Sequence, residues 1–369
     1  MINDMRNRMR KTIGASESSS IYLIAICAGS LMTLFMSLIL TNVNAGLGGM
    51  SVQSWVGYAL MQVAFIASVL IYARVRRLDE IGIARICKPR DMRQLILTPF
   101  IAIATILVFL PLANAWSSLL NLMHFHGAGV AMPGGGNVGV YFLSLLIMAI
   151  LPAFGEELLM RGNVLHGLST RGVWFGILMS ALFFSLMHAN PVQTVHQFGL
   201  GVTMAITLIL TGSLWSTVLV HFFNNFISIT LTTYLPQVDA IYVKLGYFNW
   251  LTGIASIAVG LFLLVLLFFI MSRLGDKRGE YRVVGDSIVY DEFALTAILP
   301  ENVKTNPVRD FFRFFASLFR RDGWRNITRT LTRANDVAYI GRSQQMIGVW
   351  IALGLSVIYW LYSFISGLV

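Results

Sequence analysis

Leu151–Leu168 reads LPAFGEELLMRGNVLHGL and sets two adjacent glutamates and an arginine into sequence otherwise suited to lipid. Ionisable side chains inside membrane-spanning segments are rare and mark sites by default. Glu157 and Arg161 stand four residues apart, so on a helix they share a face and can pair. Glu156 points about 100° away and needs a different partner. A carboxylate facing an apolar or half-hydrated cavity holds a proton more readily, which suits a general base. The stretch thus separates into one structural glutamate, Glu157, and one chemical glutamate, Glu156. In a soluble chain such a Glu–Arg pair would ordinarily only brace a helix. Keeping two carboxylates at membrane depth costs at least ~2.5 kcal/mol each on insertion scales, which argues against a decorative role.

Composition supplies the membrane. Of 369 residues, 56% are hydrophobic and 12% charged, and the mean hydropathy is +0.72. These values exclude an ordinary soluble domain. The expected fold is an all-α polytopic bundle of about eight to nine transmembrane helices with a small basic cytoplasmic α/β or helical tail region. The net charge of +10 follows from short runs of lysine and arginine between apolar stretches, a topology signal rather than a nucleic-acid surface. The two cysteines, Cys27 and Cys87, suggest neither a disulfide framework nor a thiolate metal site.

Along the chain, the basic N-terminus is expected on the cytoplasmic side, followed by an uncleaved first span from Ile21 to Thr41. A second span, Trp55 to Ala73, returns to Arg74, Arg76, Arg77, Arg85, Lys88, Arg90 and Arg93, the strongest cytoplasmic marker. The third, Gln94 to Ala115, leads to a loop with His124 and His126, which lack a nearby third ligand and read as loop residues. The fourth begins near Val138. Pro152, four residues before Glu156, is expected to break its ladder, so that the glutamates open a new helical piece whose positive end favours charge at Glu156. The fifth, Val173 to Ala189, climbs from the Arg171 turn and carries His188 to the depth of Glu157, some 20–25 Å along each helix at ~1.5 Å per residue. His166 finds no partner at helical spacing, and His196 reads as a turn residue. After a short sixth span, Phe198 to Leu210, the seventh, Leu214 to Tyr234, sets His221 and Asn225 four apart on one face. Each could simply join helices in lipid, yet with His188 and the glutamates three separated polar positions fall at compatible depths. An eighth span, Asn249 to Met271, precedes the polar region Arg273–Arg342, and a ninth, Gln345 to Ile365, closes the chain. The polar region holds a strand–turn–strand pattern around Gly285-Asp286. It also holds RDFFRFFASLFRR, which sets Phe311, Phe315, Leu318 and Phe319 against Arg309, Arg313 and Arg320, as a helix on an anionic membrane surface or a packed amphipathic helix would.

EELLMR, FSLMH and HFFNN, in that order on successive apolar helices, resemble the glutamate–glutamate–x–x–x–arginine, phenylalanine–x–x–x–histidine and histidine–x–x–x–asparagine motifs of one family. It is the CPBP (CAAX protease and bacteriocin-processing, Abi) family of intramembrane proteases, which includes the type II CAAX prenyl endopeptidases. The resemblance covers roughly Tyr141 to Phe226. Together with the apolar spans, it suggests a division into N-terminal membrane helices (1–137), a catalytic helical core (138–234), a further membrane helix (235–272), a cytoplasmic polar region (273–342) and a C-terminal membrane helix (345–366), of which only the core rests on the resemblance.

The resemblance implies a peptide-bond hydrolase whose water is activated in a cytoplasm-facing cavity. Glu156 would be the general base, His188 its partner in holding the water, and His221 and Asn225 the oxyanion donors. Glu157 and Arg161 would brace the site, with Phe184 packed beside His188. No cofactor is expected, since no H-E-x-x-H occurs and Asn225 is a poor zinc ligand. The alternative is zinc held by Glu156, His188 and His221. The expected partners are the bilayer and a peptide or membrane-protein substrate, prenylated C-a-a-X peptides being the best-known class, with no nucleic acid. The expected location is the plasma membrane of a bacterium or archaeon. A non-catalytic scaffold, immunity or signalling protein and a proton-relaying transporter are the competing readings.

Overall fold

An apolar run of twenty or more residues satisfies its backbone in lipid by closing its hydrogen bonds within a helix, and the long runs of this chain do so. The computed structural model describes residues 13–127, 132–134, 137–235, 237, 250–276, 282–284, 287–289, 306–335, 337 and 345–368. Among them, eight helices are long and apolar enough to cross a membrane, so the protein is an all-α, multi-pass integral membrane protein.

Helix α1 (Ala15–Ile39) and α2 (Val52–Arg76) are joined through a short hairpin of β1 (Gly46–Leu47) and β2 (Met50–Ser51). Ser51 caps α2 by accepting the Ser54 N–H at 3.1 Å. After the short α3 (Glu80–Ile83), a 3₁₀ turn at Met92–Leu97 runs into α4 (Thr98–Leu122). Helix α5 occupies Val138–Ser169. It is followed by α6 (Val173–Leu186), α7 (Thr194–Thr211), α8 (Leu214–Ile229) and α9 (Trp250–Asp276). The polar region contributes the antiparallel pair β3 (Arg282–Val284) and β4 (Ser287–Val289), then α10 (Pro307–Ser317) and α11 (Arg321–Asn335), before α12 (Ile347–Ser366). Large apolar side chains such as Leu31, Phe35, Leu122, Ile351 and Tyr362 are exposed, as a lipid-facing surface requires.

The bundle has two unlike ends. At one, Tyr72 and Arg76 at the foot of α2 donate to Glu17 at 2.6 and 3.0 Å. There the segment between α2 and α4 also clasps the α7–α8 turn, with Arg90 N–H on the Thr211 carbonyl at 2.9 Å and Leu214 N–H on the Arg85 carbonyl at 3.0 Å. Helix α11 docks on the same end through Arg90 to the Ala334 carbonyl at 2.6 Å and Trp174 to Thr328 at 2.8 Å. At the opposite end, His126 N–H meets the Gly367 carbonyl at 2.6 Å. The connections that start and finish there, residues 40–51, 123–137, 187–193 and 235–249, hold Lys244 and no arginine.

Two expectations are corrected. Val173–Leu186 spans 14 residues and is shorter than the eight long helices. Pro152 does not break α5, because Leu145–Ile150 and Leu158–Val164 are wound as π-helix. In these segments the Leu151 N–H reaches the Leu146 carbonyl and the Leu165 N–H the Met160 carbonyl. The wider ladder accommodates the proline, and the helix continues through it from Val138 to Ser169. No helix N-terminus therefore lies near Glu156. In α10, Phe311 is buried against Phe262 and Phe269 of α9, each at 5.5 Å between centroids. Phe312 and Phe319 remain exposed, and Phe319 falls beyond the helix end at Ser317. The strand–turn–strand expectation is met by the β3–β4 pairing, while Gly285 and Asp286 lie outside the described residues.

Candidate active site

The site forms where α5, α6 and α8 meet, and α2 adds a side chain that sequence reasoning missed. On one side of α5, Glu157 is fully buried and its Oε1 accepts from Arg161 Nη1 at 3.0 Å and from His221 Nδ1 at 3.0 Å. Arg161 is itself buried, and its Nη2 donates to the Gly201 carbonyl of α7 at 3.1 Å. A Cβ on Gly201 would stand 2.9 Å from Ala181 Cα, so only glycine lets α7 come close enough to offer that carbonyl. The Arg161 guanidinium lies 4.4 Å from the centre of the Phe184 ring. That ring also meets His188 and His221 edge-on at 5.1 and 5.7 Å. Phe184 is thus the apolar wall against which both imidazoles and the arginine are set.

On the other side of α5, Glu156 Oε1 accepts from Gln62 Nε2 of α2 at 2.9 Å. Gly155 permits this contact, since a Cβ there would stand 2.8 Å from Gln62 Oε1. Glu156 Oε2 is buried and makes no hydrogen bond to the described protein groups. It lies 4.0 Å from Nε2 of His188 and 4.0 Å from Nε2 of His221. His188 turns Nδ1 to the Phe184 carbonyl at 2.8 Å. A carbonyl only accepts, so that nitrogen carries the hydrogen and Nε2 presents a lone pair. His221, with Nδ1 on Glu157, is oriented in the same way. Acid and imidazoles from three helices therefore converge on one point.

Asn225 sits one turn beyond His221 on α8, and its Nδ2 donates to the Met148 carbonyl at 3.1 Å. Met148 is four residues before Pro152, which has no N–H to give that carbonyl in a regular α-helix. Asn225 thus ties α8 to the π-wound segment of α5. Its own Oδ1 accepts from Asn224 at 3.1 Å, and Asn224 Oδ1 lies 3.3 Å from His196 Nε2. His196, expected in a turn, belongs instead to the first turn of α7 and holds this amide pair. Outside the membrane helices, Glu80 accepts from Asn163 of α5 at 2.8 Å. Burial, with a smaller push from Asp79, raises the Glu80 carboxyl to about 7, against the opposing pull of that hydrogen bond.

A cavity of about 480 Å³ runs along α2 to Glu156 and His188, with Ser54, Tyr58 and Gln62 of α2 and Thr33 of α1 on its walls. Thr33 belongs to the last third of α1 and Ser54 to the first turn of α2. The cavity's polar lining thus runs along α2 toward the end whose connections hold no arginine. Toward the arginine-rich side, residues 155–165 are all buried among the described residues, the Glu157–Arg161 pair with them.

A zinc ion with bonds of ~2.0–2.1 Å would draw tetrahedral ligands to about 3.3 Å from one another. The 4.0 Å separations are wider, and among the described residues no cluster of three or more His, Cys, Asp or Glu side chains is placed to hold a metal.

Fold and site together define a class: a multi-pass membrane protein with a carboxylate–imidazole centre enclosed by its helices. Residues 138–227 match the family model described as type II CAAX prenyl endopeptidase Rce1-like, and the chain carries an Rce1-like domain over them, in agreement with the CPBP resemblance. The match takes in Glu156, Glu157, Arg161, Phe184, His188, His221 and Asn225, and it supports a CAAX-protease-like function in general. No curated protein and no solved structure matches the chain.

Proposed function

We propose that the protein is an intramembrane endopeptidase in which Glu156 activates a water to hydrolyse a peptide bond. The observation that supports this most is the shared 4.0 Å spacing from Glu156 Oε2 to both Nε2 atoms, wider than a direct hydrogen bond and short enough for one water to be reached by all three groups. Glu156, steadied by Gln62, takes a proton from the water as its oxygen bonds to the peptide carbonyl carbon. The carbonyl oxygen becomes negative. His221, anchored to Glu157 through Nδ1, turns Nε2 toward the same point and donates to that oxygen in the form that carries a hydrogen there as well. Asn225 commits one amide hydrogen to Met148 and has a second to offer. Collapse breaks the C–N bond, and the leaving amine receives the proton held by Glu156. His188 positions the water. Glu156→Gln keeps the Gln62 contact and removes the base, so cleavage of a membrane-peptide substrate falls to background while the protein inserts and melts as wild type. Wild-type turnover would remove Glu156 from the role.

A zinc-dependent form of the same site has one observation in its favour: both imidazoles hold Nδ1–H against an acceptor and present Nε2 inward, as zinc ligands do. Stoichiometric zinc in active protein, with activity lost to a chelator and restored by zinc, would establish it. Metal-free protein at full activity supports the glutamate mechanism.

A further inference from the structure

We propose that substrate reaches Glu156 from the non-cytoplasmic face, through the cavity along α2, as an extended uncharged peptide segment of an exported or membrane-anchored polypeptide. The proposal rests on the hydrolase reading for its chemistry, while the access route stands on geometry and charge alone. Lysine and arginine mark the cytoplasmic ends of membrane helices. Arg74, Arg76, Arg77, Arg85, Lys88, Arg90 and Arg93 all fall between the foot of α2 and the start of α4, and α11 with its own arginines docks beside them. The cavity's mouth lies at the other end of the same two helices. From the cytoplasmic side, the continuous buried run 155–165 and the Phe184–Arg161 stack stand between solvent and Glu156.

The lining says what can pass. Glu156 is its single acidic or basic group besides His188, and the rest is hydroxyl, amide and apolar side chain. Thr33 Oγ1 and Gln62 Oε1 are buried acceptors with no hydrogen-bond partner among the described residues, placed to take backbone N–H groups of an incoming strand. A substrate cation would find no counter-charge until it reached the glutamate, and a carboxylate would find no lysine or arginine along the lining. Ser54 at the mouth and Gln62 beside Glu156 are eight residues apart on α2, about 12 Å at 1.5 Å per residue. An extended chain covers that depth with about four residues at ~3.3 Å each. The scissile bond therefore lies at least about four residues from any folded or helical part of the substrate. A peptide end anchored in the cytoplasmic leaflet would meet the closed side.

The test is cysteine accessibility in full-length protein carrying Cys27→Ser. One protein keeps Cys87, which is exposed at the arginine-rich end. A second replaces Cys87 with serine and carries Ser54→Cys, and a third carries Thr33→Cys on the facing helix in case the second fails to insert. Spheroplasts are treated with a membrane-impermeant maleimide before and after permeabilisation. The expected result is labelling of position 54 or 33 in intact spheroplasts and of Cys87 only after permeabilisation. Labelling at the cavity mouth should also lower peptide cleavage at least about tenfold by blocking approach to the base. Position 54 and position 33 reacting only after permeabilisation would overturn the route. So would unchanged cleavage by fully labelled protein. Should Glu156→Gln cleave like wild type while labelling follows the expected sides, the hydrolase reading fails and the outward route survives.

Discussion

The two sides of helix α5 carry adjacent glutamates with opposite surroundings. Glu157 is sealed, with Arg161 and His221 on one oxygen and Phe184 behind them. Glu156 opens on the cavity, held by one amide and leaving an oxygen within water's reach of two imidazoles. Identical side chains one position apart thus differ because the helix turns them toward different neighbours. On the sealed side charge is neutralised and fixed. On the open side it stays available for proton transfer, and His221 joins the two through its opposite ring nitrogens.

That contrast can be broken from either side, and the sealed side should give the largest stability effect. Arg161→Met leaves Glu157 buried without its cation, and loss of one partner from a buried pair costs ~3–5 kcal/mol. Thermal denaturation in detergent should show a Tm far below that of Glu156→Gln; equal melting would mean that the pair does not brace the bundle. His221→Ala removes a donor to the tetrahedral oxygen and should lower kcat about 10²–10³-fold, with little change in KM. A KM effect alone would place His221 in substrate binding. Gln62→Leu leaves Glu156 without its direct amide donor and should lower kcat about tenfold, the value of one modest hydrogen bond to a charged group. Gln62→Glu should be worse, since it sets like charges together.

The smallest effect lies at the arginine-rich end. Glu80 titrates near 7 in the folded protein, well above an ordinary glutamate at ~4.3. Between those values the folded protein holds a proton that the unfolded chain has released, so this group's contribution is full below the lower value and declines as pH rises through 7. Glu80→Gln keeps an acceptor for Asn163 and removes the titration. Relative to wild type it should gain on the order of 1 kcal/mol above pH 7, after allowance for solvent screening of a part-exposed group. The gain should vanish at pH 4. A constant difference across that range would assign the effect to packing.

Much of this architecture was legible in the residues. Apolar runs located the helices, and the four-residue spacings of Glu157–Arg161 and His221–Asn225 placed those pairs on shared faces. The Glu157–Arg161 contact and the approach of His188 and His221 to Glu156 follow that reading. Gln62 was not legible, because a lone amide in an apolar helix gives no sign of which neighbour it meets. His196 looked like a turn residue since the helix that contains it starts with a proline-led 3₁₀ turn. Pro152 looked like a break because π-winding has no local sequence signature that distinguishes it from a kink. The cavity beside α2 depends on how α2, α5 and the end of α6 pack, a property of the assembly of helices rather than of any one sequence.

The most direct test of the contrast is a paired assay of Glu156→Gln and Glu157→Gln, each measured for melting temperature and for cleavage of the same membrane peptide. Glu156→Gln should keep the wild-type Tm and lose cleavage, whereas Glu157→Gln should lose Tm first, because it uncouples Arg161 and His221. Cleavage by Glu156→Gln at the wild-type rate, or a collapse of its Tm equal to that of Glu157→Gln, would contradict the division of labour between the two carboxylates.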